Sequence, residues 1–281
     1  MALISDKMMP RTLYISDLDG TLLTSSQTIS EYTADTVNSV ISQNILFTYA
    51  TARGYATSSK VTRSLSPGLP AIVQNGTFIV RQGSGKKLLS NTFSQSDATY
   101  IYEILTSSHI HPTVYSITDG KERFTYLTNC LSDGMKLFLD SRRGDIRENP
   151  IKSGIPLVGE VFYFACIDNP QKLAEAYEKL KDKFLCIRSK DIYFDAHWLE
   201  IMPKNAGKAN SVLALKKMLD CDRVVCFGDG KNDISMFEVA DECYAVANAD
   251  SELKKIATGI IESNDCDGVA KWLRQNILKQ I

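Results

Sequence analysis

The chain has 281 residues, 44% of them hydrophobic and 23% charged, which is enough apolar material for one large domain or two moderate ones. Its 32 Lys and Arg nearly balance its 33 Asp and Glu, and the resulting formal charge of −1 gives no global field for a polyanion, so a nucleic-acid partner is not expected. No apolar run approaches the roughly 20 residues of a membrane helix, Met1–Arg11 has no long apolar stretch with a cleavage site, and seven cysteines are scattered without CxxC pairs.

Those absences predict a cytoplasmic protein with no membrane partner and with reduced, mostly buried thiols. Oligomeric state leaves no mark in the sequence.

In chain order, Thr12–Ser16 is a short apolar run that predicts a strand ending at Asp17. Ser30 is placed to cap a helix whose face carries Val37, Val40 and Ile41. Ile45–Ala50 reads as a second buried strand and Ala71–Gln74 as a third, which stops at Asn75-Gly76.

From about Gly83 to Asp195 the pattern changes. Strand candidates cluster at Thr113–Ile117, Arg123–Leu127, Val161–Ile167, Phe184–Arg188 and Asp191–Phe194. Helices are expected at Ser96–Ser107, which aligns Ile101, Ile104 and Leu105, and at Pro170–Phe184, which aligns Leu173, Tyr177, Leu180 and Phe184. Gln82-Gly83-Ser84-Gly85 reads as a hinge leading into this region.

The C-terminal part returns to alternation. A helix over Lys208–Leu219 precedes a strand at Arg223–Phe227, then a helix from about Asn232 and strands at Cys243–Val246 and Gly259–Ile261. A last helix presents Val269, Trp272, Leu273 and Ile277, capped by Asp267. Alternating strands and helices imply a parallel sheet covered on both faces. The whole predicts an α/β protein: a Rossmann-like parallel-sheet core from residues 1–82 plus 196–281, interrupted by an α+β insert over 83–195.

Two acidic motifs carry chemistry. Ser16-Asp17-Leu18-Asp19-Gly20-Thr21 follows the first strand directly. Residues two apart on a strand face the same way, so Asp17 and Asp19 are expected to converge at the carboxyl end of the sheet, where open α/β folds bind ligands. Crowded carboxylates call for a cation, and an all-oxygen set suits Mg²⁺. Gly228-Asp229-Gly230-Lys231-Asn232-Asp233 again sits just past an apolar strand, and Asp229 and Asp233 add oxygens. Either motif alone is also how a chain makes a polar turn; both at strand ends of one parallel sheet is a narrower coincidence. Ala50-Thr51-Ala52-Arg53 follows the second strand and offers a hydroxyl and a backbone N–H to a phosphate oxygen, though Thr51 is equally suited to cap a helix. Lys208 opens a predicted helix after Gly207, with Lys204 as a nearby rival.

This ordered set resembles the haloacid dehalogenase superfamily. The long insert, and Asn75-Gly76 just before it, resemble the Cof-type branch of sugar-phosphate phosphatases, in which the insert is a cap domain that sets substrate specificity. The resemblance implies Asp17 as nucleophile and magnesium ligand. It implies Asp19 as general acid/base, coordinating the metal through its backbone carbonyl. Leu18, Thr51, Ala52, Lys208 and Asn232 match phosphate-holding positions. Asp229 matches the third protein ligand of Mg²⁺, with Asp233 either touching the ion or one atom removed. Ala52, Asn205 and Ala209 stand where that family often has glycine. The implied activity is hydrolysis of small phosphorylated metabolites. A sugar-phosphate mutase and a catalytically silent sugar-phosphate-binding regulator share the same residues and stay open.

Overall fold

A computed structural model describes residues 10–190 and 196–278. The strand expected at Asp191–Phe194, and Asp195 itself, lie outside the described residues. The chain divides into two compact units: residues up to Ser90 together with those from Gly207 onward, and Asn91–Ala206.

The first unit begins with β1 (Thr12–Ser16), α1 (Glu31–Ser42), β2 (Leu46–Tyr49) and α2 (Tyr55–Val61). Ser30 caps α1 by accepting from Thr33 N–H at 3.0 Å, and Val37 and Val40 are buried beneath it. Three short strands follow, β3 (Ala71–Val73), β4 (Phe78–Val80) and β5 (Lys87–Ser90), paired antiparallel. The Gln82–Gly85 stretch expected as a hinge is instead the tip of the β4–β5 hairpin, closed by Arg81 N–H on Lys86 O at 2.8 Å.

The second unit holds α3 (Gln95–Ser107), β6 (Thr113–Thr118), β7 (Lys121–Leu127), α4 (Asp133–Asp140) and β8 (Glu148–Ile151). It continues with β9 (Glu160–Ile167), α5 (Pro170–Leu180), β10 (Leu185–Lys190) and β11 (His197–Met202). Its sheet runs β10-β11-β9-β6-β7-β8 and is antiparallel except for β7 with β8. Ile101 and Leu105 of α3 and Leu173 and Leu180 of α5 bury one face of it against Val114, Phe164, Leu199 and Ile201. The insert expected over 83–195 is thus a unit whose limits fall at Asn91 and Ala206, because β5 pairs within the first unit and β11 within the second.

The first unit resumes with α6 (Lys208–Met218), β12 (Arg223–Gly228), α7 (Ile234–Phe237), β13 (Glu242–Val246), α8 (Ser251–Ile256), β14 (Gly259–Ile261) and α9 (Gly268–Leu273). Its main sheet is all parallel in the order β14-β13-β12-β1-β2. Asp267 does not cap α9: it has a left-handed backbone, and its carboxylate accepts from Ser30 Oγ and Thr33 Oγ1, tying α9 to the start of α1. All seven cysteines are free, with Cys166, Cys226 and Cys243 buried and Cys266 exposed. Among the described residues no helix is long and apolar enough to cross a membrane.

Register decides what meets at the sheet end. Ser16 lies opposite both Phe227 and Tyr49, so β1, β12 and β2 finish level. The residues that follow, Asp17, Asp229 after the last β12 residue Gly228, and Ala50-Thr51, therefore emerge side by side.

Candidate active site

Asp17 N–H donates to Phe227 O at 2.9 Å, a last sheet-like bond that holds the residue at the lip of the sheet. Leu18–Leu22 then leaves the strand as one wide turn, closed by Leu23 N–H on Leu18 O at 2.8 Å. Gly20 makes this turn possible. Its φ is +75°, and a Cβ there would lie 2.4 Å from Asp229 Oδ2. The turn brings Thr21 Oγ1 to donate to Asp229 Oδ1 at 2.8 Å.

Carboxylate oxygens of Asp17, Asp229 and Asp233 lie within 4.8 Å of one another. Lys208 is 2% exposed, and its ammonium donates to Asp17 Oδ1 at 2.5 Å and Asp233 Oδ1 at 2.6 Å. Asp233 Oδ2 accepts from the N–H groups of Asp229 and Gly230, both at 3.0 Å, and so locks the loop after β12. Three carboxylates against one ammonium leave two negative charges in a buried cluster. Burial pushes the Asp17 carboxyl well up, and Asp233 and Asp229 add to that against the pull of Lys208. Burial also pushes Asp229 up, to about 6. Burial opposes the charge on Lys208, but Asp17 and Asp233 overcome it and hold the ammonium above its usual range.

Lys208 is aimed by a close backbone contact. Gly76 has φ +90° and sits against Gly207, where a Cβ would lie 2.2 Å from the Gly207 oxygen. Ser211 Oγ donates to Gly76 O at 2.6 Å across the same contact. The rival, Lys204, belongs to the second unit and donates to Asp182 O at 3.2 Å.

Thr51 is fully buried; its N–H donates to Ile72 O at 3.0 Å and its hydroxyl accepts from Arg53 N–H at 3.1 Å. Leu18 is buried, and Ala52 and Asn232 are exposed. Asp19 departs from the expectation. β1 ends at Ser16, so the two-residue rule for strands does not reach Asp19, and its carboxylate stands outside the cluster. It pairs instead with Arg53, Nε to Oδ2 at 2.7 Å and Nη2 to Oδ1 at 2.5 Å. Thr21 and Arg53 stand inside the motifs quoted from the sequence but received no role there, and Ser211 was not singled out. Only the nearness of Arg53 to Thr51 hints at a place in the site, since nothing in the spacing links it to Asp19.

A family model described as haloacid dehalogenase-like hydrolase matches residues 14–273. A 5-amino-6-(5-phospho-D-ribitylamino)uracil phosphatase of Bacillus subtilis is 28% identical over 280 residues, covering 92% of this chain and 96% of its own. A second protein of that description from the same organism is 27% identical over 278 residues, covering 92% and 95%. A solved haloacid dehalogenase-like hydrolase from Bacteroides thetaiotaomicron superposes with a TM-score of 0.72 at 24% identity, over 94% of this chain and 98% of its own.

Proposed function

The chain belongs to the haloacid dehalogenase-like hydrolases, and from that membership we propose that it is a cytoplasmic, Mg²⁺-dependent phosphatase of small phosphorylated metabolites that works through an aspartyl-phosphate on Asp17. The phosphatases among its relatives make it a phosphoric monoester hydrolase. The observation that carries the finer reading is the buried cluster of Asp17, Asp229 and Asp233 around one ammonium, with two negative charges left over.

That donor set fits a hard divalent cation, being all oxygen and short of positive charge. Asp17 and Asp229 would hold the ion, with the Asp19 carbonyl. Asp233, whose oxygens already take Lys208 and two backbone N–H groups, serves to hold the loop and the lysine. Bound there, Mg²⁺ would lower the repulsion between a carboxylate nucleophile and an anionic phosphoryl group.

The chain's own residues supply the rest. An Asp17 carboxylate oxygen attacks phosphorus; the new O–P bond forms as the ester O–P bond breaks. Asp19, as the acid, gives its proton to the departing alkoxide. In the second half Asp19, now a carboxylate, takes a proton from the water that attacks the phosphorus of aspartyl-phosphate, releasing inorganic phosphate and restoring Asp17. Thr51, Lys208, Asn232 and the backbone of Leu18 and Ala52 meet the phosphoryl oxygens, where loss of one donor costs on the order of 10²–10³ in rate.

The substrate class is a phosphate monoester of a sugar, polyol or similar metabolite, a ribityl phosphate being the kind named for two relatives. The test is a phosphate-release screen over sugar, polyol and nucleoside phosphates, with and without Mg²⁺. Metal-dependent release of phosphate from one or more esters is the expected result. An isomerised sugar phosphate without release would show a mutase, and binding without either would show a silent regulator.

A further inference from the structure

Arg53 has no part in the chemistry above, yet it is anchored directly beside it. Its guanidinium makes a two-bond fork onto both oxygens of Asp19, at 2.7 and 2.5 Å. Nη2 also donates to Gln27 Oε1 at 3.0 Å. The backbone beneath is held at both ends, with Arg53 N–H on Thr51 Oγ1 at 3.1 Å and Gln74 N–H on Arg53 O at 2.9 Å. Gln27 and Gln74 both sit in left-handed conformations, at φ 58° and 52°, so each partner is presented by a tight turn. Three separate segments thus converge on one carboxylate orientation.

Orientation is what Asp19 lacks by itself. It follows the end of β1 on a turn, and its side chain is half exposed, so the fork from Arg53 is what restrains its rotation. A planar fork fixes the carboxylate plane as a point charge cannot. It also keeps Asp19 from swinging into the Asp17–Asp229–Asp233 cluster, where a fourth carboxylate would compete for the same cation. An ion pair this exposed adds little to stability, so a purely structural purpose explains it poorly.

We infer that Arg53, buttressed by Gln27, is a positioning residue that holds the Asp19 carboxyl in the orientation from which it exchanges a proton with the leaving-group oxygen. The inference rests on the phosphatase reading above.

The experiment compares p-nitrophenyl phosphate, whose leaving group needs little protonation, with benzyl phosphate, similar in shape but with an alkoxide leaving group, in Mg²⁺-loaded protein. In Arg53→Met, the single-turnover rate of alcohol release from benzyl phosphate should fall about 10²-fold or more, the range of a lost general acid, while the single-turnover release of p-nitrophenolate falls less than about tenfold. The ester concentration that half-saturates these rates should stay within a few-fold for both. Arg53→Lys should recover part of the benzyl phosphate rate. Gln27→Ala, on an exposed loop where folding is not at stake, should show the same bias more weakly. Equal losses of single-turnover rate on both esters, no loss, or a loss confined to the half-saturating concentration (as for a residue gripping the substrate phosphate) would overturn the inference and leave the phosphatase reading intact. Wild-type protein inert toward every ester in the presence of Mg²⁺ would overturn both.

Discussion

Lys208 shows most plainly how one buried side chain ties the site together. It is the cation in contact with both Asp17 and Asp233. Lys208→Met would leave three carboxylates facing one another without it. Removing one partner of a buried ion pair costs roughly 3–5 kcal/mol. We expect urea denaturation of the metal-free variant to show a loss of that size, and saturating Mg²⁺ to shrink the gap to wild type. Asp17→Asn removes the nucleophile's charge while keeping its size, so phosphate release should fall to background in a folded protein. The acidic positions were legible because Asp17 and Asp229 each follow an apolar strand directly. The partner of Asp19 was not legible, because it depends on where a turn releases the side chain, and a two-residue period has no meaning once the strand has ended at Ser16.

At the scale of elements, positioning depends on turns that tolerate no side chain. Gly76 carries the contact between the turn after β3 and the start of α6. In Gly76→Ala a Cβ 2.2 Å from the Gly207 oxygen must push the start of α6, and Lys208 with it, out of place. A displacement near 1 Å at a reacting group costs on the order of 10²-fold in rate. The expected outcome is a drop of that order in kcat/KM, measured with p-nitrophenyl phosphate. Ser211→Ala, which removes only the 2.6 Å bond to Gly76 O, should cost about 1 kcal/mol in a denaturant titration and much less activity. Short elements were the ones sequence missed. β4 and β5 have three and four residues, too few for a period to register. The turn joining them was read as a hinge because hairpin tips and hinges share a glycine-rich composition. β11 was missed with the limit of the insert, since it pairs on one side with β9, which lies well back in the chain beyond α5.

For the whole molecule, the parallel core was readable because strand and helix periods alternate cleanly on either side of the interruption. The order β14-β13-β12-β1-β2 was not, since it depends on pairings between strands some 210 residues apart. That same long-range pairing is what brings Asp17 to Asp229. Metal should therefore stabilise the fold as well as the chemistry: Mg²⁺ at a hundredfold excess over its Kd adds about 2.7 kcal/mol, seen as a higher melting temperature that Asp229→Asn abolishes. Asn91–Ala206 carries its own core and holds none of Asp17, Asp19, Asp229 and Asp233. We propose that it selects substrate. Replacing it with a short Gly/Ser linker should spare slow hydrolysis of p-nitrophenyl phosphate while removing discrimination among metabolite esters, and an unchanged substrate profile would refute that role.

The central claim is a covalent phosphoryl group on Asp17, and stopped-flow release of p-nitrophenolate by Asp19→Asn tests it most directly. This leaving group departs without an acid, whereas the attacking water still needs a base, so the intermediate should accumulate. The account predicts a rapid burst of one p-nitrophenolate per enzyme, a slow steady phase, and a phosphoryl mass on the Asp17 peptide after quenching. Steady release without burst, with phosphate and p-nitrophenolate appearing together and no adduct on Asp17, would contradict it.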